Sequence, residues 1–321
     1  MKRICGALAL GLTCAVPFAF AAESFPGKPI RFIVPFPPGG GTDAFARIIG
    51  PKLAELLGQQ VIVDNRAGAQ GNIGTAAAAK APANGYTILL AHQGALTINP
   101  HLYDNTGYDL LHDFAAVARG TSTAMVLVAH PSLPAKTIKE LVALAKQNPG
   151  RLAFASPASA QQLAGELFKI ATNTNLLHVP YKGAGPAVID LLAGNVVLMF
   201  SNPTSVVPHV KAGKLRAIAV LGPARNSALA DVQTAVEAGY PQLATVLEWY
   251  GIVVPAATPR DIIARLTTAT LSALGSADVA ERMSSFGQTI SPAGADEFAK
   301  QIREDFERWG KVVKASGMKA E

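Results

Sequence analysis

Cysteine is nearly missing from this chain: among 321 residues there are two, Cys5 and Cys14. Both lie in an N-terminal stretch that reads as a secretory signal. Lys2 and Arg3 form its positive end, Ile4 to Phe20 its apolar run, and Ala19-Phe20-Ala21 a small-x-small cleavage site. A signal peptide over residues 1–21 would leave no disulfide, no thiol nucleophile and no thiolate metal ligand. Pro17 and the cleavage site argue against a membrane anchor, and Thr13 before Cys14 is a poor match to a lipid-attachment site. No later apolar run approaches the roughly 20 residues needed to span a bilayer. The signal implies export from the cytoplasm.

Charge is also sparse, at 16% of residues. Without Lys2 and Arg3 the formal net charge falls from +6 to +4, with no Lys/Arg cluster to follow a phosphate backbone. That excludes nucleic acid as a partner and suits an anionic small molecule. Known catalytic patterns are missing too. There is no G-x-S-x-G elbow and no H-E-x-x-H helix. His92, His101, His112, His130, His178 and His209 lie in separate segments without metal-ligand spacing. No catalytic residue, metal or cofactor is expected, and the chain does not read as an enzyme.

Two glycine-rich turns are present, each after a short apolar strand and before a helix. Phe32 to Phe36 runs into Pro37-Pro38-Gly39-Gly40-Gly41-Thr42-Asp43, and Val61 to Asn65 runs into Arg66-Ala67-Gly68-Ala69-Gln70-Gly71-Asn72-Ile73-Gly74. Neither has the P-loop lysine, and the second spaces its glycines by three instead of as G-x-G-x-x-G. Helix N-termini leave backbone N–H groups unpaired at the positive end of the macrodipole, and glycine clears the approach to them. Side by side, two such turns would form an anion pocket made mostly of backbone. As separate features, each is also explained as a tight strand-to-helix connection, and capping alone accounts for Thr42 and Asp43.

Strand and helix patterns alternate along the rest of the chain. Tyr86 to Ala91 reads as a strand leading to the polar turn His92-Gln93-Gly94. A second run follows, with strands at Met125 to Ala129, Leu152 to Ala155, Leu177 to Pro180, Val196 to Phe200 and Leu215 to Val220. Gly58 and Gly194 read as helix stops. A strand from Glu248 to Pro255 precedes two helices, the last placing Phe298, Ile302, Phe306 and Trp309 on one stripe. These patterns imply α/β architecture in two lobes, each a mainly parallel sheet flanked by helices. We expect one lobe from residues 22–123 plus 248–321 and the other from 124–247, with a ligand cleft between them. Candidate ligand contacts are Phe36, Pro38, Gly39, Gly40, Gly41, Thr42 and Asp43 from the first turn, and Gly68, Ala69, Gln70, Gly71 and Asn72 from the second. His92 and Gln93 follow a strand on the expected cleft side, Ser156 and Ser159 lie in a strand-to-helix loop, Tyr181 could offer its hydroxyl, and Ser201 is the remaining candidate contact.

Several segments, in order, resemble the Bug family, the extracytoplasmic solute receptors of tripartite tricarboxylate transporters. They include Lys28-Pro29-Ile30-Arg31, Val34 to Asp43, Val63 to Gly74, Asn84-Gly85-Tyr86-Thr87, Leu163 to Phe168, Val179 to Ala187, Met199-Phe200 and Pro208 to Arg216. The resemblance covers the chain after the signal. It implies a monomeric, type II-like periplasmic binding protein that closes on a small organic carboxylate and meets the membrane subunits of such a transporter. It further implies that Pro37–Asp43 and Gly68–Gly74 grip one carboxylate, partly through ordered water, while the other lobe selects the rest of the molecule. Ser156 to Gln162 is shorter than the family's usual loop, and Ser201 stands where an aspartate is common. Two other readings remain open: a receptor signalling to a membrane sensor kinase, and a secreted α/β hydrolase or isomerase acting on carboxylates.

Overall fold

One sixteen-residue strand runs through the middle of the molecule and changes neighbours part-way along. The computed structural model describes residues 25–244 and 246–320, so the signal-peptide reading and both cysteines lie outside the described residues. The elements, in order, are β1 (Ile30–Val34), α1 (Gly41–Leu57), β2 (Val61–Asn65), α2 (Asn72–Ala79), β3 (Thr87–His92), α3 (Leu110–Asp113) and β4 (Phe114–Ala129). Then come α4 (Ile138–Gln147), β5 (Ala153–Ser156), α5 (Ser159–Thr172), β6 (Leu177–Pro180), α6 (Ala184–Ala193), β7 (Leu198–Ser201), α7 (Pro203–Lys211) and β8 (Arg216–Leu221). The chain ends with β9 (Leu247–Pro255), α8 (Arg260–Leu274), α9 (Ala277–Ser285), β10 (Ile290–Ala293) and α10 (Ala295–Ser316).

The sheet order is β2-β1-β3-β9-β4-β7-β5-β6, with β8 and β10 also pairing with β4. From Phe114 to Ala124, β4 pairs with β9; from Met125 to Ala129 it pairs with β8, and from Val126 to Ala129 with β7 as well. Parallel pairing is confined to the two ends, where β1 joins β2 and β3, and β5 joins β6 and β7. The centre is antiparallel, so the sheet is mixed and not mainly parallel. The reason is that β9 and β4 enter between the parallel blocks, and a returning strand runs against its neighbours. The first part of β4 opens on a short, alanine-rich apolar run, Phe114 to Ala118, and continues through Arg119, Gly120, Thr121, Ser122 and Thr123, a weak strand signal.

Glycine ends α1 as expected: Gly58 adopts φ 72°, and its N–H reaches the Ala54 carbonyl. One face of the first half of the sheet buries Phe32, Phe45, Ile49 and Leu53 with α8, while the other face packs Ile33, Leu89 and Trp249 against Phe298 and Ile302 of α10. The second half gathers Phe154, Phe168 and Phe200. α10 does not cover the first half alone. Its Trp309 and Val313 join the core of the second half, so this helix straddles both.

Candidate functional site: a cleft between the two halves

β1 and β2 are parallel neighbours, and the Arg66 N–H bonds the Val34 carbonyl, so the two glycine turns emerge side by side at one sheet edge. In the first turn Gly40 is the helix cap and no side chain caps it. Thr42 and Asp43 lie inside the first turn of α1, so the capping explanation for them is corrected. Asp43 instead braces the loop. One carboxylate oxygen accepts the Gly39 N–H at 3.1 Å, and the other accepts Asn65 Nδ2 at 3.0 Å and Arg47 Nε at 2.9 Å. Burial pushes this carboxyl up, but the bonds from Arg47, Gly39 and Asn65 outweigh it and hold the group below the ordinary carboxylate range.

The second turn is strained. Gly68, Ala69, Gln70 and Gly71 all have positive φ, at 135°, 45°, 52° and 96°. For Ala69 and Gln70 such a backbone costs on the order of 1–3 kcal/mol each and persists only when its surroundings impose it. Here they do. Asn99 Nδ2 bonds the Gln70 carbonyl at 3.0 Å, Thr75 Oγ1 bonds the Gly71 carbonyl at 2.9 Å, and Gly71 N–H bonds the Gly68 carbonyl at 3.0 Å. The Gly71 and Asn72 N–H groups are bonded inside the turn, to the Gly68 and Ala69 carbonyls. Asn72 points away from it: its Oδ1 accepts from Asn99 and from the Tyr108 hydroxyl. Gly74 is needed for close approach, because a Cβ there would stand 2.6 Å from the Arg66 carbonyl oxygen.

The second turn opens on a cavity of ≈ 290 Å³ closed from the opposite side by Pro180, Tyr181, Lys182 and Gly183. Of the expected contacts, Phe36, Gly68, Ala69, Gln70, Gly71 and Tyr181 line it. A smaller void of ≈ 30 Å³, which also borders Phe36, Pro37, Pro157 and Gly183, gathers Gly40, Gly41, Thr42, His92 and Ser201. That is room for one water. Pro38, Gly39, Asp43, Asn72, Gln93, Ser156 and Ser159 line neither space. Tyr181 offers its ring and not its hydroxyl, which donates to Asp190 at 2.8 Å; burial and that carboxylate push its pKa up to about 12. Gln93 faces a separate hollow behind β9 and donates to the Leu247 carbonyl. Ser156 bonds His178 at 2.5 Å, and burial pulls that imidazole down to about 4. Ser159 is buried where the halves meet, its Oγ 2.7 Å from where a Cβ on Gly94 would be.

Sequence reasoning missed Glu248, at 1% exposure, and with it Gln161, Asn202 and Tyr250. Glu248 Oε1 accepts from His92 Nε2 at 2.9 Å and Gln161 Nε2 at 2.8 Å, while Oε2 accepts from Asn202 Nδ2 at 2.8 Å and the Tyr250 hydroxyl at 3.0 Å. Burial alone would raise this carboxyl, but the bonds from His92, Asn202 and Gln161 bring it below its ordinary value. His92 Nδ1 accepts the Ala95 N–H, which leaves the proton on the Nε2 that faces Glu248. The signal was a lone acid opening an otherwise apolar strand, Leu-Glu-Trp-Tyr-Gly-Ile-Val-Val-Pro. The N-terminal ends of α1, α5, α6 and α7 all border the smaller void, so their dipoles converge on this region. Among the described residues, no group of three or more His, Cys, Asp or Glu is arranged to hold a metal.

Residues 45–318 match the family model described as tripartite tricarboxylate transporter family receptor. The chain belongs to that family. Protein BugT of Bordetella pertussis is 38% identical to this receptor over 310 residues, covering 96% of the receptor and 95% of BugT. A solved structure of a periplasmic transporter is 39% identical with a TM-score of 0.90, covering 93% of the receptor and 100% of that chain. Rpa4515 of R. palustris, solved with adipate, is 33% identical with a TM-score of 0.88, covering 91% of the receptor and 98% of that chain. The receptor thus has the two-lobe fold of periplasmic binding proteins and is a solute-binding receptor of the Bug type. Its family is one of binding proteins, not enzymes.

Proposed function

We propose that the receptor captures a small organic carboxylate in the periplasm and presents it to the membrane subunits of a tripartite tricarboxylate-type transporter. The observation that carries this reading is the turn over Gly68–Gly71 facing the ≈ 290 Å³ cavity beside Phe36 and Pro37, with Lys182 on its far side. The bound adipate of Rpa4515 supports the ligand class. In this reading the carboxylate head lies against the turn over residues 68–71, and the ≈ 30 Å³ void beside Gly40, Gly41 and Thr42 has room for a bridging water. A helix N-terminus contributes roughly 0.3–1 kcal/mol, up to about 2 when partly buried. Micromolar binding needs about 8 kcal/mol. Several charge-assisted hydrogen bonds of about 1.5–3 kcal/mol each must therefore form at once in a dry cleft, so binding and closure are one event.

The lobes we assign are residues 22–123 with 248–321, and 124–247. The change of partners on β4 between Ala124 and Met125, and the start of β9 at Leu247, support that division. Among the described residues no helix is long and apolar enough to cross a membrane. We assign no catalysis: the Ser156–His178 contact borders neither cleft space.

A thermal-shift panel of di- and tricarboxylates, acidic amino acids and aromatic acids tests the reading. An acid at 100 times its Kd adds about 2.7 kcal/mol. For a chain of this size that raises Tm by roughly 4 °C. No shift with any acid would remove the proposed ligand class.

A further inference from the structure

Glu248 brings both lobes to one carboxylate, and it does so symmetrically. His92 and Tyr250 are direct cross-strand partners on β3 and β9, so their positions relative to Glu248 are set within one sheet. Gln161 in the first turn of α5 and Asn202 at the cap of α7 come from the opposite lobe. Each carboxylate oxygen takes one donor from each side: Oε1 from His92 and Gln161, Oε2 from Tyr250 and Asn202. All four donor residues border the cleft, whereas Glu248 does not.

We propose that Glu248 is a positioning residue for ligand capture, a buried anion whose full set of donors is completed only when the lobes shut. This rests on the carboxylate-receptor reading above. In the open form the donors from its own sheet stay in place, and water must replace Gln161 and Asn202. Shutting the cleft exchanges that water for fixed donors. A buried charge tolerates no partial set, because a missing partner exposes its desolvation cost. Closure is therefore favoured as a single step that also fixes the cleft-facing sides of His92, Gln161, Asn202 and Tyr250. Glu248 touches no ligand; it acts through these four.

The test compares wild type with Glu248→Gln and Gln161→Ala, and with Glu237→Gln as a control. Glu237 pairs with Arg225 on the surface, away from the cleft. Spin labels at Lys80→Cys and Lys211→Cys, both exposed and on opposite lobes, report the interlobe distance. The probes are adipate, malate and aspartate; the one wild type binds most tightly is used throughout. Glu248→Gln keeps the size of the side chain but puts an amide N–H among four donors. The expected result is at least a tenfold weaker Kd carried by a faster dissociation rate, with a longer interlobe distance surviving at saturation. Gln161→Ala should show the same signs more weakly, and Glu237→Gln neither. Normal closure and a Kd within twofold of wild type in Glu248→Gln would overturn the proposal while leaving the receptor reading intact. Should none of the three acids bind wild type, the distances of the unliganded proteins decide. A longer distance in Glu248→Gln than in wild type supports the role, and equal distances refute it.

Discussion

Gly183→Ala lowers affinity for the bound acid by about 5- to 150-fold while the unliganded receptor still folds. Gly183 caps α6 at φ +107°, and a Cβ there would stand 2.7 Å from Pro37 Cδ and 2.9 Å from Pro37 Cγ. Pro37 belongs to the first turn, on the other side of the cleft, and its ring cannot rotate away. Overpacking of this kind costs about 1–3 kcal/mol, here only in the shut form, and that range converts to the stated loss. Its backbone, at φ 107° and ψ 174°, is one that essentially only glycine adopts, which adds about 1–3 kcal/mol in open and shut forms alike. Gly194→Ala separates the two contributions. It lies at the other end of α6 with φ +77°, and its nearest neighbours are His130 ring atoms at 3.4 Å and beyond. As a left-handed helix stop, at φ 77° and ψ 10°, it should lose about 1–2 kcal/mol of stability and keep its affinity. Calorimetric titration of both variants checks this, and equal affinities in the two would mean the lobes do not meet at Gly183.

The second large effect concerns Trp249→Ala. This side chain is fully buried on β9, donates Nε1–H to Asp305 Oδ2 at 2.7 Å and meets Phe298 edge-on at 5.1 Å. Both partners lie on α10, the helix that reaches across both lobes. Truncation should cost about 3–5 kcal/mol from the lost packing and the cavity left behind. That corresponds to a Tm lower by roughly 5–8 °C. Scanning calorimetry reads it directly, and a loss below about 1 kcal/mol would show that α10 is anchored elsewhere.

Local chemistry made much of this legible. Glycine stops α1 at Gly58 and α6 at Gly194 because only a left-handed residue ends those helices cheaply. The two turns announced themselves by composition, and β1 and β2 pair so that they adjoin. Tertiary pairing hid the rest. The start of β4 is alanine-rich, with little strand preference of its own, and becomes a strand because β9 lies against it. Asp43 looked like a helix cap, yet it braces the turn through Gly39 and Asn65, the latter 22 residues away. His92 and Gln93 formed one polar turn in sequence but face opposite sides of β9, as neighbours at a strand end do. Glu248 has partners 156, 87 and 46 residues distant, and no local pattern connects them.

The most direct measurement is a crystal structure of the receptor with the acid that gives the largest thermal shift. The expected result is a carboxylate head between the lobes, its oxygens about 2.7–3.2 Å from backbone N–H groups of the turn over residues 68–71. An acid lodged in the hollow behind β9, or one in the cleft with its carboxylate turned away from both turns, would contradict it.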